Sequence, residues 1–135
     1  MIVVDTNVVA TVMLDDDRTA VGRRVLARDA AWVVPRLLRS ELRSVFALHV
    51  RHRGAPPDAI LVAEQVADVL LAPRECPVDG ALVLTLAMAS GCTAYDCEFV
   101  ALAQALDVPL VTWDRALLRH FPGCAVAPEE FVEGV

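Results

Sequence analysis

Three short runs, Ile2–Val4, Trp32–Val34 and Leu110–Thr112, carry no charge at any position. Their lack of alternation constrains the fold more than any other feature of the chain. A strand with one face in water alternates apolar and polar residues. A strand without that alternation needs cover on both faces, which helices provide on either side of a parallel sheet. The segments between the runs read as helices. These are Arg18–Arg28 after the acidic Asp15–Asp17, Leu37–His52, and Pro57–Leu71 with Pro73 beyond its end. Val78–Ala89 follows, closed by Ser90-Gly91, then Tyr95–Leu106 capped by Thr93, then Asp114–His120 stopped by Phe121-Pro122-Gly123. The expected architecture is an α/β fold in three layers, with a small central parallel sheet flanked by helices. At 135 residues, with no repeat, low-complexity segment or linker, a single domain over 1–135 is expected.

The net charge of −6 argues against a nucleic-acid partner, but the distribution of charge does not. All 12 basic residues are arginines, and nine of them lie between Arg18 and Arg53, where Asp29 and Glu41 are the only acids. That window carries +7 (9 − 2) and the rest of the chain −13 (3 − 16). Such a basic face suits phosphate or an acidic partner; its plainer reading is a solvated helix face. Cys76, Cys92, Cys97 and Cys124 form no C-x-x-C pair and have no histidine at finger spacing. They read as reduced packing residues, not as a zinc site or disulfide framework. No apolar stretch approaches the ~20 residues of a membrane span without a charge or breaker. Asp5 interrupts the N-terminal run as well, so no signal peptide is expected, and the chain reads as cytoplasmic.

Parallel sheets bind ligands beyond the carboxyl ends of their strands. Two of the runs end alike, the first in Asp5-Thr6-Asn7 and the last in Thr112-Trp113-Asp114. An Asp before a helix is commonly an N-cap, so either ending alone is weak; on adjacent strands both would face one place. Two helices add carboxylates on their apolar sides. In Leu37–His52 the apolar stripe is Leu38, Leu42, Val45, Phe46 and His49; Glu41 falls beside it, and Arg36, Arg39, Arg43 and Arg51 fall outward. In Tyr95–Leu106, Asp96 falls with Phe99, Val100 and Ala103, while Glu98 faces out. Taken singly, Asp96 suits a first-turn partner of the helix dipole, and Glu41 a buried partner of an arginine. Taken together, Asp5, Glu41, Asp96 and Asp114 come from four elements, each set against apolar neighbours. Carboxylates so gathered repel one another unless a cation holds them. Oxygen ligands without histidine select Mg²⁺ or Mn²⁺ over zinc, ions suited to phosphoryl chemistry. His49, in the apolar stripe, reads as a satisfied core histidine and not as half of a metal pair with His52. Trp32 and Trp113 read as packing residues.

Four stretches in order, VVDTNVV at Val3–Val9, VPRLLRSEL at Val34–Leu42, TAYDCEFVALAQAL at Thr93–Leu106 and VPLVTWD at Val108–Asp114, resemble the PIN-domain ribonucleases. They are most similar to the VapC-type toxins of bacterial toxin–antitoxin pairs. The resemblance implies an acidic quartet, Asp5, Glu41, Asp96 and Asp114, holding Mg²⁺ or Mn²⁺ so that an activated water attacks an RNA phosphodiester. It assigns Thr6, Asn7 and Thr112 a supporting role. It further implies a homodimer and a small DNA-binding antitoxin that blocks the acidic site. Arg36, Arg39 and Arg43 are expected to contact phosphate or the acidic partner. Glu98 and the Asp15–Asp17 run match no shared motif; they read as a surface residue and a helix start.

Two other readings compete. Asp5 after a strand, with Thr11 beyond it, is faintly similar to haloacid-dehalogenase phosphatases and response-regulator receivers. Those need a lysine for the phosphate, and this chain has none. A non-catalytic module of PIN-like fold that binds RNA or protein is the remaining alternative.

Overall fold

A computed structural model describes residues 1–134. Five strands, β1 (Ile2–Val4), β2 (Trp32–Pro35), β3 (Glu75–Cys76), β4 (Leu110–Val111) and β5 (Ala125–Val126), form one sheet in the order β3-β2-β1-β4-β5. Every pairing is parallel, with Val3 opposite both Val33 and Leu110 and Val4 opposite Val111. The central strands are buried on both faces: Val3, Val4, Val34, Leu110 and Val111 have no exposed surface. This is the cover that their uniform apolarity demands.

The helices are α1 (Thr6–Met13), α2 (Thr19–Arg28), α3 (Leu37–Arg53), α4 (Pro57–Leu71), α5 (Gly80–Ser90), α6 (Ala94–Leu106), α7 (Arg115–His120) and α8 (Pro128–Glu133). The chain runs outward from β1 to β2 to β3, then returns through α5 and α6 to β4 on the other side of β1. Right-handed crossovers in opposite directions put their helices on opposite faces of the sheet. Accordingly α6 packs on β1, β2 and β4, whereas α1, α2, α3 and α4 pack on one another. The strand order reverses between β1 and β4, and a crevice opens there beyond the carboxyl ends. Gly22 lets α2 approach α1: a Cβ there would stand 2.5 Å from the Thr11 methyl. Among the described residues no single helix is long and apolar enough to cross a membrane.

The structure adds four elements that the sequence pattern does not announce. α1 is TNVVATVM, rich in β-branched residues of low helix propensity; burial of Val8, Val9 and Ala10 stabilises it. α8 is a single short turn-and-a-half, and β3 and β5 are two-residue edge strands, too short to show a period. The acidic run before α2 is not a side-chain cap. The N-cap is Arg18, which makes no side-chain cap bond. Asp16 instead accepts from the Arg18 N–H (2.8 Å) and the Thr11 hydroxyl (2.8 Å), tying the loop to α1.

Candidate active site

Asp5 stands at the carboxyl end of the central strand and is 8% exposed. It does cap a helix: Oδ1 accepts from the Thr6 N–H at 2.7 Å. Its other oxygen accepts from the Thr112 hydroxyl at 2.6 Å, across the β1–β4 reversal. The same hydroxyl oxygen of Thr112 accepts from the Asp114 N–H at 2.9 Å. Asp114 in turn caps α7 through the Leu117 N–H at 3.0 Å. Thr112 is fully buried, and its backbone N–H still bonds Val126. It is thus the rigid link between two carboxylates on adjacent strand ends.

The helices supply the other two. The Thr6 hydroxyl donates to Glu41 Oε1 at 2.9 Å, joining α1 to α3. Asp96 lies in the first turn of α6, where Thr93 caps its N–H at 3.0 Å. Asp5, Thr6, Asn7, Glu41, Ser44, Val45, Asp96 and Asp114 line one open cleft of about 330 Å³. All four predicted carboxylates therefore meet in one place. Ser44, one turn beyond Glu41, is a wall residue that sequence reasoning missed; the i, i+3 spacing on α3 is the signal that would have found it.

The carboxylates feel one another. Burial, opposed by the hydrogen bonds from Thr112 and Thr6, lifts Asp5 from the ordinary 3.8 to about 6, and the charges of Glu41 and Asp96 push the same way. Burial raises Glu41 too, offset by the Thr6 hydroxyl and reinforced by Asp96 and Glu98. Asp96 is raised by burial and by Asp114, against the bond from Thr93. Crowded anions with raised proton affinity, and with no cation partner among the described residues, form a site that a divalent cation relieves. The donor set is all oxygen and fits Mg²⁺ or Mn²⁺ by chemistry. Among the described residues no three of these side chains stand close enough to grip an ion as they are oriented. The fit is therefore one of charge and donor type.

Asn7 lines the cleft as expected of a supporting residue, and among the described residues its buried Oδ1 has no partner. Several expectations are corrected. His49 is not satisfied either, since its buried Nε2 also lacks one. Glu98 is half-buried, and its charge reaches Glu41. Arg39 does not face solvent: it pairs with Asp68 on α4 and with Glu75 on β3 at 3.1 Å. Arg43 binds Glu64 of α4 at 2.7 Å. The cause is α4, which packs against α3 and brings its acids onto that arginine face. Arg36 is exposed and has no ion-pair partner among the described residues. Trp32 is core, as expected; Trp113 donates to Glu129 at 2.9 Å and lies under the Arg18 guanidinium, 4.7 Å from the ring centre. All four cysteines are free.

Compared with known proteins, the chain matches a model of the PIN domain over residues 2–121. No curated protein matches it by sequence. Among solved structures it is similar to PAE2754 from Pyrobaculum aerophilum, with 20% identity and a TM-score of 0.70 over 98% of this chain and 93% of that one. It is also similar to FitAcB from Neisseria gonorrhoeae, with 20% identity and a TM-score of 0.71 over 96% and 99%. At that identity the likeness speaks for the fold alone.

Proposed function

Because this chain belongs to the PIN domain family, whose members are generally nucleases, we propose that it is a Mg²⁺- or Mn²⁺-dependent endoribonuclease, the toxin of a toxin–antitoxin pair. The observation that carries the reading is the single cleft shared by Asp5, Glu41, Asp96 and Asp114, with Asp5 raised to about 6. Those four side chains would hold the ion, which when bound neutralises phosphate charge and lowers the pKa of water.

The chain's own residues do the rest. Thr112 fixes the Asp5 carboxylate and the Asp114 backbone at once, and Thr6 fixes Glu41. With these anchors in place, the carboxylates that must turn toward an ion do so from fixed backbone positions. Arg36, at the start of α3 and unpaired, is the arginine of the predicted trio left to take RNA phosphate or an acidic partner. Exposed Leu61, Val62, Val66 and Val69 on α4, with Leu84 and Met88 on α5, support the homodimer and the antitoxin contact, since apolar patches of this kind mark interfaces. The resemblance to the toxins supports a cytoplasmic setting and a single domain over 1–135.

The test is incubation of structured RNA with Mn²⁺ or Mg²⁺ beside Asp5→Asn and Asp96→Asn. Cleavage by the parent, lost in both variants and in EDTA, is expected. Equal cleavage by all three would point to a contaminant and remove the nuclease reading. RNA binding without cleavage would favour the non-catalytic module.

A further inference from the structure

Beside the carboxylate cleft lies a second open cavity of about 360 Å³, bounded by α1, α3 and the loop before α2. Asn7 and Val45 line both, so the two adjoin. Buried polar atoms without a partner are rare because they are costly. Among the described residues only three such side-chain atoms occur, and two of them, Asn7 Oδ1 and His49 Nε2, belong to residues lining this cavity. The remaining wall is apolar at Ala10 and Val45, anionic at Asp16 and Asp17 beside the Thr11 hydroxyl, and cationic at Arg18 and Arg53, which are exposed at the rim. Arg18 lies over the ring of Trp113, the residue before Asp114. The wall itself is held by the Thr11–Asp16 bonds at 2.8 and 3.0 Å.

An apolar wall, two unsatisfied hydrogen-bonding groups and guanidinium groups at the mouth fit a nucleotide: a base has apolar faces and a polar edge, and it carries a phosphate. The volume lies in the range of small-ligand sites. We propose that this cavity is a nucleotide subsite that takes the base next to the phosphodiester held at the carboxylates. The side chains of Asn7 and His49, whose unsatisfied atoms are buried in the free protein, turn outward to hydrogen-bond the base edge, and Arg18 and Arg53 face the adjoining phosphate. The subsite rests on the nuclease reading for its place along an RNA strand. It makes His49 a specificity-determining residue that selects the cut sequence without touching the reacting atoms.

The test follows the side-chain NMR signals of Asn7 and His49 in the full chain, in EDTA, as each of the four ribonucleoside 5′-monophosphates is added. Saturable shifts at both residues are expected, with one base bound at least ~5-fold more tightly than another, the lower end of discrimination by a good base contact. In His49→Leu, which suits the apolar stripe, that preference should fall at least ~5-fold; His49→Gln should keep part of it, and serves if the Leu variant fails to fold. Silence at both residues with all four nucleotides, or equal binding of all four, overturns the subsite. A separate arm cuts a randomised RNA pool in Mn²⁺. Cutting whose base preference His49→Gln leaves unchanged also overturns the subsite. Base-selective shifts without any cutting sustain the subsite and remove the nuclease reading.

Discussion

Replacing Asp5 by Asn should make the metal-free protein more stable while abolishing the proposed RNA cleavage. Asp5 has its carboxyl lifted from 3.8 to about 6 in the folded state. At 1.36 kcal/mol per pH unit, that is about 3 kcal/mol of cost for ionising it in the fold at neutral pH. A raised acid contributes stability that is fully present below 3.8 and lost as the pH rises through about 6. Asn removes the cost but replaces one carboxylate oxygen with an amide nitrogen. One of the bonds from the Thr6 N–H and the Thr112 hydroxyl is then lost or reversed, at about 1–2 kcal/mol. The net gain at pH 7.5 is about 1–2 kcal/mol, or roughly 4–8 °C in melting temperature for a chain of this size. Urea unfolding of both proteins in EDTA from pH 4 to pH 8 measures it. The Asn variant should be the less stable by about 1–2 kcal/mol near pH 4, gain about 3 kcal/mol relative to the parent across the window from 3.8 to about 6, and level off above it. Excess Mn²⁺ should reverse the order, because an ion at 100 times its Kd adds about 2.7 kcal/mol to the parent alone. A pH-independent difference, or an Asn variant less stable at pH 7.5, would refute the claim that burial and mutual repulsion hold this site in tension.

Thr112→Val should cost about 2–3 kcal/mol in urea unfolding, because the buried hydroxyl serves both the Asp5 carboxylate and the Asp114 N–H. The loss should be larger at pH 8 than at pH 5, since that hydroxyl favours the ionised form of Asp5. A loss equal at both pH values would show that the bond is indifferent to the charge on Asp5. Arg39→Ala should destabilise the fold by about 1–3 kcal/mol through the loss of its pairs with Asp68 and Glu75. Arg36→Ala should leave the melting temperature unchanged and lower the salt dependence of RNA binding by about one phosphate contact. Fluorescence anisotropy at several salt concentrations reads the second effect, and an unchanged slope would mark Arg36 as a solvated residue.

How much was legible in the sequence follows from how local each signal is. β1, β2 and β4 could be read because burial on both faces leaves an unbroken apolar run. β3 and β5 could not, because two residues at a sheet edge carry no period. α1 was missed because its Val and Thr residues favour strands when judged alone, and only packing against α2 and α3 makes them helical. All four carboxylates were legible, since each sits among apolar residues of its own element. What joins elements was not. The pairing of Arg39 depends on acids 29 and 36 positions further on, supplied by helix α4 and edge strand β3, whose docking the pattern does not reveal. The same holds for the unsatisfied Nε2 of His49, whose position in the apolar stripe is visible while the cavity beside it is not.

The 2.6 Å bond between Thr112 and Asp5 spans 107 positions, and this sets a clock on synthesis. Asp5 is made 107 residues before Thr112, and its strand has no β4 neighbour until residue 110 has been made. Until then the central strand has one open edge and Asp5 lacks the hydroxyl that orients it. A growing chain is therefore unable to assemble the carboxylate cleft beside the RNA-rich machinery that is making it. Closure waits for long-range pairing, the slow step in folds dominated by distant contacts. A site closed in this order forms only after every element from β1 to β4 has been made.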